Sequence, residues 1–397
     1  MTSQSNGTSS KIQEKSTAKR DPSLHKPVIP KSFIKEIVFS LYGMKVVDWS
    51  ELNSYDDRNY RIHIAADVTN PYIEVVNSEG YVLKVMNSND SKNPAVLDAQ
   101  MELLQYLQRK GLPVQEPIIT LQGKTWSLQT VPDEHIPDKM NGPYLFYLLN
   151  YIEGDIVVNK PYHPTTLYNI GVFAGKFHKA MQGFEHQLFK ERTRGFVWSL
   201  TELAMLSQYT IGVKDKDNLE LVTTVMKAFQ NEVVSKYNEL TEGYIHGDIN
   251  EQNIIVQETT DDHATTDYYP CDTTAFIDFA DVTYSYPVFD IAILIAYMSL
   301  DCKVMDQLDA GGHVLAGYLT EMRLNDAEFD VLRVCICSRL VQSVVMGAYS
   351  YYMEPSNTYV LATAKRGWPL LRKYWQTSQS ELRSRWNTIL NSYNTGN

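Results

Sequence analysis

The segment that decides the fold is YIHGDINEQNIIV at residues 244–256, together with AFIDFADV at residues 275–282. Each segment contains a short apolar run next to an aspartate, and Asn253 follows Asp248 by five residues. Transfer of a phosphate from a nucleotide to a hydroxyl needs a group that orients the hydroxyl and cations that spread the developing charge. Asp248 is therefore predicted to accept the hydroxyl proton, and Asn253 and Asp278 are predicted to supply oxygen ligands for Mg²⁺.

The spacing can be compared with the protein-kinase pattern His-Arg-Asp-x-x-x-x-Asn followed by Asp-Phe-Gly. The interval from Asp248 to Asn253 is the same, but Gly247 replaces the arginine and no Ala-Pro-Glu follows Asp278. Both departures favour a kinase of small molecules over a regulated protein kinase. The alternative is a surface turn and an unrelated strand end, since a motif remains a hypothesis until its structural context agrees.

The composition limits the classes of partner. The 397 residues suit two lobes of unequal size. A formal net charge of −11 argues against a nucleic-acid partner, because binding to phosphate backbones requires a basic surface. The longest strongly apolar stretch, residues 291–300, is too short to cross a bilayer and indicates a buried helix. We therefore expect a small-molecule substrate, with no nucleic acid and no membrane as partner.

The N-terminus and the cysteines bear on the compartment. Residues 1–30 are rich in Ser, Thr, Lys and Pro and lack an apolar signal segment, so we predict a disordered segment and no secretion. The four cysteines are too few for a disulfide framework and are predicted to be buried thiols. The cytoplasm is the expected location.

A β-rich N-lobe is predicted over residues 31–150. Residues 72–76 and 81–86 are two β-prone runs separated by Asn-Ser-Glu-Gly, which indicates a hairpin. A single helix is predicted to start at Asn93-Pro94, an N-cap residue followed by proline, and to end before Gly111. Strands packed on one helix would form a lobe that clamps a nucleotide.

An α-rich C-lobe is predicted over residues 151–397. Apolar residues at helical spacing mark helices around residues 167–181 and 222–233, and helices dominate after residue 287. Short strands flank the Asp248 turn and precede Asp278, while the polar residues 258–274 are predicted to be a surface loop. The fold class is therefore α+β, a bilobal protein-kinase-like fold with the active site between the lobes.

Lys84 lies inside the apolar run Val-Leu-Lys-Val at residues 82–85. A lysine at this position in a kinase N-lobe reaches the α- and β-phosphates, although a lone lysine can also simply extend out of the sheet. The expected partner is a glutamate on the following helix, but Gln100 stands at that position, with Asp98 and Glu102 on either side. The partner of Lys84 is left open.

Other groups are candidates for nucleotide binding. Ser54, Arg58 and Asn59 lie in the glycine-free segment that joins the first two strands and are predicted to donate to phosphate oxygens, with a solvated turn as the alternative. The linker near Leu149 and Tyr151 is predicted to bind the nucleotide base through backbone groups, so residue types do not reveal which base is bound.

Several titratable residues near the motifs have predicted roles. His178 is expected to be a satisfied core histidine, and His246 is expected to brace the catalytic turn. Asp290 is predicted to cap its helix or to anchor the Asp248 loop. Asp281 is a candidate partner for a substrate ammonium, with a solvated carboxylate as the alternative.

With these residues placed, the chain resembles the aminoglycoside-phosphotransferase family of small-molecule kinases over most of its length after the N-terminal segment. The resemblance is carried by SYDDRNY, DSKNPA, HGDIN, GGHVLAG and CSRLVQS at residues 54–60, 90–95, 246–250, 311–317 and 337–343. The first and the last two of these segments are not general kinase motifs. They make the match to one branch of the family fairly specific.

The resemblance implies a donor, an acceptor and a set of roles. It implies phosphorylation of the hydroxyl of 5-hydroxy-L-lysine, a hydroxylated amino acid, with GTP as donor, ATP as a possible donor and Mg²⁺ as cofactor. The proton-accepting role carries over onto Asp248 and the metal ligands onto Asn253 and Asp278. Binding an amino-acid end needs a base and an acid, for which Arg339 and Asp281 are candidates for the carboxylate and the ammonium.

The residues by themselves support only phosphate transfer to a small alcohol. Another hydroxylated amine such as choline, homoserine or an aminoglycoside stays open as the acceptor. A catalytically silent nucleotide-binding module is the alternative from a different class. It is favoured by the lack of glycine in the 54–60 segment and by the missing helix glutamate, and the intact set of Asp248, Asn253 and Asp278 weighs against it.

Overall fold

The computed structural model describes residues 26–54, 56–192, 196–258, 271–355 and 361–394. The predicted disorder of residues 1–30 therefore falls almost entirely outside the described residues. The α+β kinase-like class is confirmed, since an antiparallel sheet in the N-terminal half precedes a mainly helical C-terminal half. The lobe boundary at residue 150 stays a prediction.

The N-lobe is a five-stranded antiparallel sheet flanked by two helices. Its elements are α1 (Lys31–Tyr42), β1 (Val46–Leu52), β2 (Arg58–Ile64), β3 (Tyr81–Val85), α2 (Pro94–Arg109), β4 (Trp126–Pro132) and β5 (Met140–Asn150). The strands are ordered β1-β2-β3-β5-β4, and all five residues of β3 are buried because β3 lies in the middle of the sheet. Helix α2 starts at Pro94, directly after Asn93, as predicted.

Two N-lobe predictions were wrong. Residues 72–76 form no strand, since Val75 is 84 % exposed and has no apolar surface to cover, and β3 forms its hairpin with β2 instead. The prediction of one helix missed α1. Its buried residues Ile34, Ile37, Val38 and Leu41 follow helical spacing, and Gly43 at φ 63° ends it, so the signal was present in the sequence.

The C-lobe consists of helices around two small sheets. Its elements are β6 (Asp155–Ile156), α3 (Pro164–Met181), α4 (Gln187–Glu191), α5 (Lys216–Ala228), β7 (Gly243–Ile245), β8 (Ile254–Glu258), β9 (Cys271–Phe276), β10 (Thr283–Ser285), α6 (Pro287–Asp301), α7 (Gln307–Glu321), α8 (Asp326–Met353), α9 (Leu361–Gln376) and α10 (Gln379–Asn394). The strands pair as β10-β7 and as β6-β8-β9. These sheets carry the two motif loops on neighbouring strand ends.

The predicted surface loop at residues 258–274 was wrong at its ends. Glu258 pairs with Cys271 and the ladder between β8 and β9 runs back to Ile254 and Phe276, so residues 271–274 are strand. Residues 259–270 lie outside the described part of the chain. The hairpin fixes the spacing between the loop after β7 and the loop after β9.

Helices α6 and α8 form the centre of the C-lobe. Nearly all of α6 is buried, as its apolar sequence predicted. Helix α8 has the length and composition that would allow membrane crossing, but most of its apolar stretch is buried inside the lobe, which is also typical of a core helix. All four cysteines are free and buried, as predicted.

Candidate active site

The loop between β7 and β8 is anchored by the buried carboxylate of Asp290. Asp290, in the first turn of α6, accepts hydrogen bonds from the backbone N–H of His246 at 2.6 Å and of Gly247 at 2.8 Å. The His246 ring contacts the carbonyl of Ile277 through Nε2 at 3.0 Å. Asp290 therefore anchors the loop and His246 ties it to the end of β9, as predicted for both residues.

His178 is a satisfied core histidine, also as predicted. Its Nε2 lies 3.0 Å from a carboxylate oxygen of Asp290, and its Nδ1 lies 3.1 Å from the hydroxyl of Tyr318. Both ring nitrogens have partners in the core of the C-lobe. His178 thus orients Asp290 rather than taking part in the chemistry.

Gly247 allows the two motif loops to pack against each other. Its φ is 82°, and a Cβ atom there would lie 2.6 Å from the carbonyl oxygen of Asp281. Only glycine fits this conformation and this approach without strain. The close packing places Asp281 beside the residue that follows Gly247, which is Asp248.

Both carboxylate oxygens of Asp248 have hydrogen-bond partners. Oδ1 accepts from Nη2 of Arg339 at 2.5 Å, and Oδ2 accepts from the amides of Asn250 at 2.8 Å and Asn253 at 3.1 Å. The Asn253 amide also donates to the Asp248 carbonyl at 2.9 Å. This network fixes the direction of the carboxylate, which is a requirement for a group that must orient a hydroxyl.

Arg339 is a buried cation that reaches Asp248 from α8. It is 2 % exposed, donates to the Trp198 carbonyl at 3.2 Å and lies between the rings of Trp198 and Tyr297 at 5.2 and 5.3 Å. Its Nε is buried and has no hydrogen-bond partner. The sequence had suggested Arg339 as a ligand for an acceptor carboxylate. The structure directs its charge at Asp248 instead.

Sequence reasoning had not identified Trp198 and Tyr297 as parts of the site. Both are aromatic residues without a motif around them, and both lie far from Arg339 along the chain. The indole and phenol faces favour a guanidinium between them. Helical periodicity does not single out Tyr297, because it belongs to α6, which is apolar on all sides.

Asp278 and Asn253 fit the chemistry of a divalent cation. Asp278 follows β9 in the left-handed conformation, at φ 65°, and is half-buried. The hydrogen bonds of the Asn253 amide run through Nδ2, which leaves its carbonyl oxygen as a possible metal ligand. In the described part of the chain, no group of three or more His, Cys, Asp or Glu residues forms a metal cage. Two protein oxygens with phosphate oxygens are the arrangement that suits Mg²⁺.

Lys84 is bonded to Asp278. The ammonium lies 3.1 Å from Oδ1 of Asp278, and the pair joins the N-lobe to the C-lobe. Burial opposes ionisation of both groups, but each holds the other in its charged form, so the pKa of Asp278 is lowered and the pKa of Lys84 is raised. Asn59 on β2 and Tyr147 on β5 lie opposite Lys84 in the sheet, and the Tyr147 ring is 5.9 Å from the ammonium.

Helix α2 supplies no carboxylate to Lys84 among the contacts of the described residues. Asp98 accepts a hydrogen bond from the Trp126 indole at 2.6 Å, and Glu102 pairs with His186 at 3.6 Å. Gln100 is buried in the N-lobe core. The missing helix glutamate is therefore a real departure from the kinase pattern, and neither neighbouring acid replaces it.

Two of the three predicted phosphate donors are used elsewhere. The Ser54 hydroxyl donates to the carbonyl of Asp57 at 2.5 Å. Arg58 donates to the carbonyl of Pro27 at 3.0 Å and pairs with Glu51. Asn59 is closest to the site, opposite Lys84, and its Oδ1 is buried without a hydrogen-bond partner.

The predicted base-binding residues lie at the end of β5. Leu149 is buried and pairs with Val82 in the sheet. The Tyr151 N–H donates to the Gly80 carbonyl at 3.0 Å, and the Tyr151 carbonyl accepts from the Asn77 amide at 2.9 Å. These contacts order the linker and occupy the N–H of Tyr151.

Asp281 is a half-buried carboxyl with both acidic and basic neighbours. Burial, and then the neighbouring Asp248, raise the pKa of Asp281 to about 7, while Arg192 and Arg339 act in the opposite direction. Arg192 also donates to the carbonyl of Ala280 at 2.5 Å. An acid with a raised pKa is suited to a cationic ligand, because the ligand stabilises its charged form.

Comparisons with known proteins agree with this geometry. A model of the phosphotransferase enzyme family matches residues 53–324, which include Lys84, Asp248, Asn253 and Asp278. The chain belongs to this family. The chain is also 31 % identical to the hydroxylysine kinase of Mus musculus, over 93 % of this chain and 95 % of that protein.

Solved structures show the same fold. An amicoumacin kinase in complex with AMP-PNP and Ca²⁺ matches with a TM-score of 0.60 at 16 % identity, over 86 % of this chain and 93 % of that chain. A microcompartment-associated aminopropanol kinase matches with a TM-score of 0.62 at 15 % identity, over 88 % and 99 % of the two chains. Together with the family match, these findings make the protein a small-molecule phosphotransferase that acts on a hydroxyl group.

Proposed function

We propose that the protein transfers the γ-phosphate of GTP to the hydroxyl of 5-hydroxy-L-lysine, giving 5-phosphooxy-L-lysine and GDP. The similarity to hydroxylysine kinases over nearly the whole chain supports this acceptor. The observation that carries the proposal is the position of Asp248. Its carboxylate is fixed by Arg339 and Asn253 and has a second acid, Asp281, packed beside its loop.

The chain supplies positioning and charge rather than covalent chemistry. Asp248 orients the acceptor hydroxyl and takes its proton as the new O–P bond forms and the bond to the β-phosphate oxygen breaks. Lys84 is placed to contact the phosphates, and Asp278 and Asn253 to hold Mg²⁺. When bound, the cation would draw negative charge from the transferring phosphate.

The acceptor chemistry explains why a second acid lies beside Asp248. In 5-hydroxylysine the hydroxyl and the side-chain ammonium are on adjacent carbons, so the group that binds the ammonium must lie next to the group that binds the hydroxyl. Asp281 meets this requirement, since its backbone packs on Gly247. At the other end of the acceptor, Arg339 is the group proposed for the α-carboxylate, and this contact requires the buried guanidinium to become accessible. The aminopropanol of the related kinase likewise combines an amine with a hydroxyl.

The choice of nucleotide as phosphate donor rests on the family resemblance. GTP is proposed because the resemblance to the family branch implies it, and ATP is the alternative supported by the AMP-PNP bound to the related amicoumacin kinase. Asn59, Ser54 and Arg58 remain proposed phosphate donors, and Leu149 and Tyr151 remain proposed contacts for the base. For Ser54, Arg58 and Tyr151 this requires exchange of their present hydrogen bonds.

The experiment is a matrix of donors and acceptors with the purified protein. GTP and ATP are each combined with hydroxylysine, lysine, choline, homoserine and kanamycin, and phosphorylated acceptor is measured by mass spectrometry. We expect turnover of hydroxylysine, none of lysine, which lacks the hydroxyl, and loss of turnover in Asp248→Asn. Turnover of choline or homoserine without hydroxylysine would replace the acceptor. No turnover of any acceptor with retained nucleotide binding would favour a silent binding module.

The location remains a proposal. The cytoplasm is supported by the four cysteines, all free thiols in the structure. Fractionation of cells that produce the full chain tests it, and recovery in a membrane or organelle fraction would contradict it.

A further inference from the structure

The ion pair between Lys84 and Asp278 creates a problem for metal binding. Asp278 is the carboxylate proposed to hold Mg²⁺, yet its Oδ1 is bonded to the Lys84 ammonium at 3.1 Å. A buried ammonium needs an anion nearby, because burial without one is costly. If Asp278 turns to the cation, Lys84 loses this partner, and among the described contacts the two acids of α2, Asp98 and Glu102, are engaged with Trp126 and His186.

Asp57 is a carboxylate beside the strand that pairs with β3. It lies in a bend one residue before β2, and Asn59 on β2 lies opposite Lys84 in the sheet. Its Oδ1 accepts from the Asn87 N–H at 2.7 Å and from the Asn87 amide at 3.0 Å. These bonds tie Asp57 to the segment that follows Lys84 on β3.

The electrostatic contacts agree with this placement. Burial and then Asp56 raise the pKa of Asp57 to about 7, whereas Lys84 lowers it. Conversely, Asp57 is among the groups that raise the pKa of Lys84, after Asp278 and Tyr147. The carboxyl is half-buried and is within electrostatic reach of both members of the ion pair.

We propose that Asp57 is a positioning residue that acts as the second counter-ion of Lys84, in place of the missing helix glutamate. It allows Lys84 to remain charged while Asp278 is released to the cation. The inference rests on the proposed roles of Lys84 and Asp278 in binding nucleotide and Mg²⁺.

The substitution Asp57→Asn tests the charge separately from the hydrogen bonds. The asparagine keeps an oxygen that can accept from the Asn87 N–H, so the anchoring of the loop is retained. The affinity for GMP-PNP, or for AMP-PNP if the wild type prefers it, is measured by calorimetry at pH 8 with Mg²⁺ and again with EDTA. We expect Asp57→Asn to reduce the gain in affinity from Mg²⁺ by about tenfold, equivalent to about 1.4 kcal/mol, because Lys84 then stays on Asp278.

Two further variants separate this role from a structural one. Asp90 also accepts from the Asn87 amide, at 2.8 Å, so Asp90→Asn is the matched control for the hydrogen bonds to Asn87 and should keep the full gain from Mg²⁺. In a Lys84→Met background, Asp57→Asn should have no further effect, because no ammonium competes for Asp278.

The outcomes are distinguishable. An unchanged gain from Mg²⁺ in Asp57→Asn, an equal loss in Asp90→Asn, or a tenfold loss that persists without Lys84 would each overturn the inference. If the wild type binds neither analogue, the proposed function fails with it. If the wild type binds an analogue with a gain from Mg²⁺ and only the effect of Asp57→Asn is missing, the inference alone fails.

Discussion

The contact between Arg339 and Asp248 gives a sharp prediction about catalysis. Methionine at position 339 keeps the unbranched apolar part of the side chain and cannot donate a hydrogen bond. A hydrogen bond to a charged group contributes about 1.5–3 kcal/mol. Since about 1.4 kcal/mol corresponds to a tenfold change in rate, loss of the contact at 2.5 Å should lower kcat by about 10- to 100-fold.

The fold should tolerate this substitution better than the loss of one partner from a fully buried ion pair. The Asp248 side chain is 25 % exposed, so water can solvate the carboxylate that Arg339 leaves behind. The assay is steady-state phosphorylation of hydroxylysine at saturating donor, with kcat and the acceptor KM determined separately and the melting temperature recorded for each variant.

The chain contains a matched control on the same helix. Arg333 stacks on Trp375 at 5.1 Å, donates to the Trp375 carbonyl at 3.3 Å and has an unpartnered Nε, like Arg339. Within the part of the chain that the structure describes, the partner of Asp248 on α8 is Arg339 and not Arg333. Arg333→Met should leave kcat unchanged. An equal fall in both variants, or no fall in Arg339→Met, would refute the positioning role. A raised acceptor KM with an unchanged kcat would instead assign Arg339 to the acceptor carboxylate.

Four further outcomes are expected from the same site. Asp248→Asn should lower kcat by about 10²- to 10⁴-fold, the usual range for a general base, while calorimetry shows nucleotide binding retained. Asp278→Ala should abolish the Mg²⁺-dependent thermal stabilisation by nucleotide, and an unchanged shift would remove it as a ligand. Because Asp281 is ionised above a pKa of about 7, the KM for a cationic acceptor should rise as the pH falls below 7, and Asp281→Asn should flatten this dependence. Gly247→Ala, forced to φ 82° with its Cβ near the Asp281 carbonyl, should lose about 1–3 kcal/mol of stability in denaturant unfolding and also lower kcat.

The sequence was sufficient to bring the proposed reacting groups together because their spacing is local. Asp248 and Asn253 share one short loop between β7 and β8, and Asp278 follows β9, the partner of β8, by two residues. Such loops are recognisable from an apolar run and an interval of a few residues. Helix α2 was equally accessible, since its start is marked by Asn93 and Pro94.

The supporting contacts were not accessible in this way. Lys84 and Asp278 are 194 positions apart, and Arg339 and Asp248 are 91 positions apart. Neither interval is set by a turn or a helical period, so only the packing of the two lobes and of α8 brings these pairs together. The wrong hairpin at residues 72–76 has the same origin, because β-prone residues form a strand only where a neighbouring strand can accept them.

Gln100 stands where the kinase pattern has a glutamate, and it shows how such contacts change the interpretation of a motif. From the sequence, a missing helix glutamate favoured a silent nucleotide-binding module, because Lys84 had no visible partner. The structure gives Lys84 one carboxylate at 3.1 Å and places a second, Asp57, within its electrostatic reach. A buried ammonium requires an anion nearby, and this anion need not be a glutamate at one helix position. The loss of that glutamate therefore does not argue against catalysis in this chain.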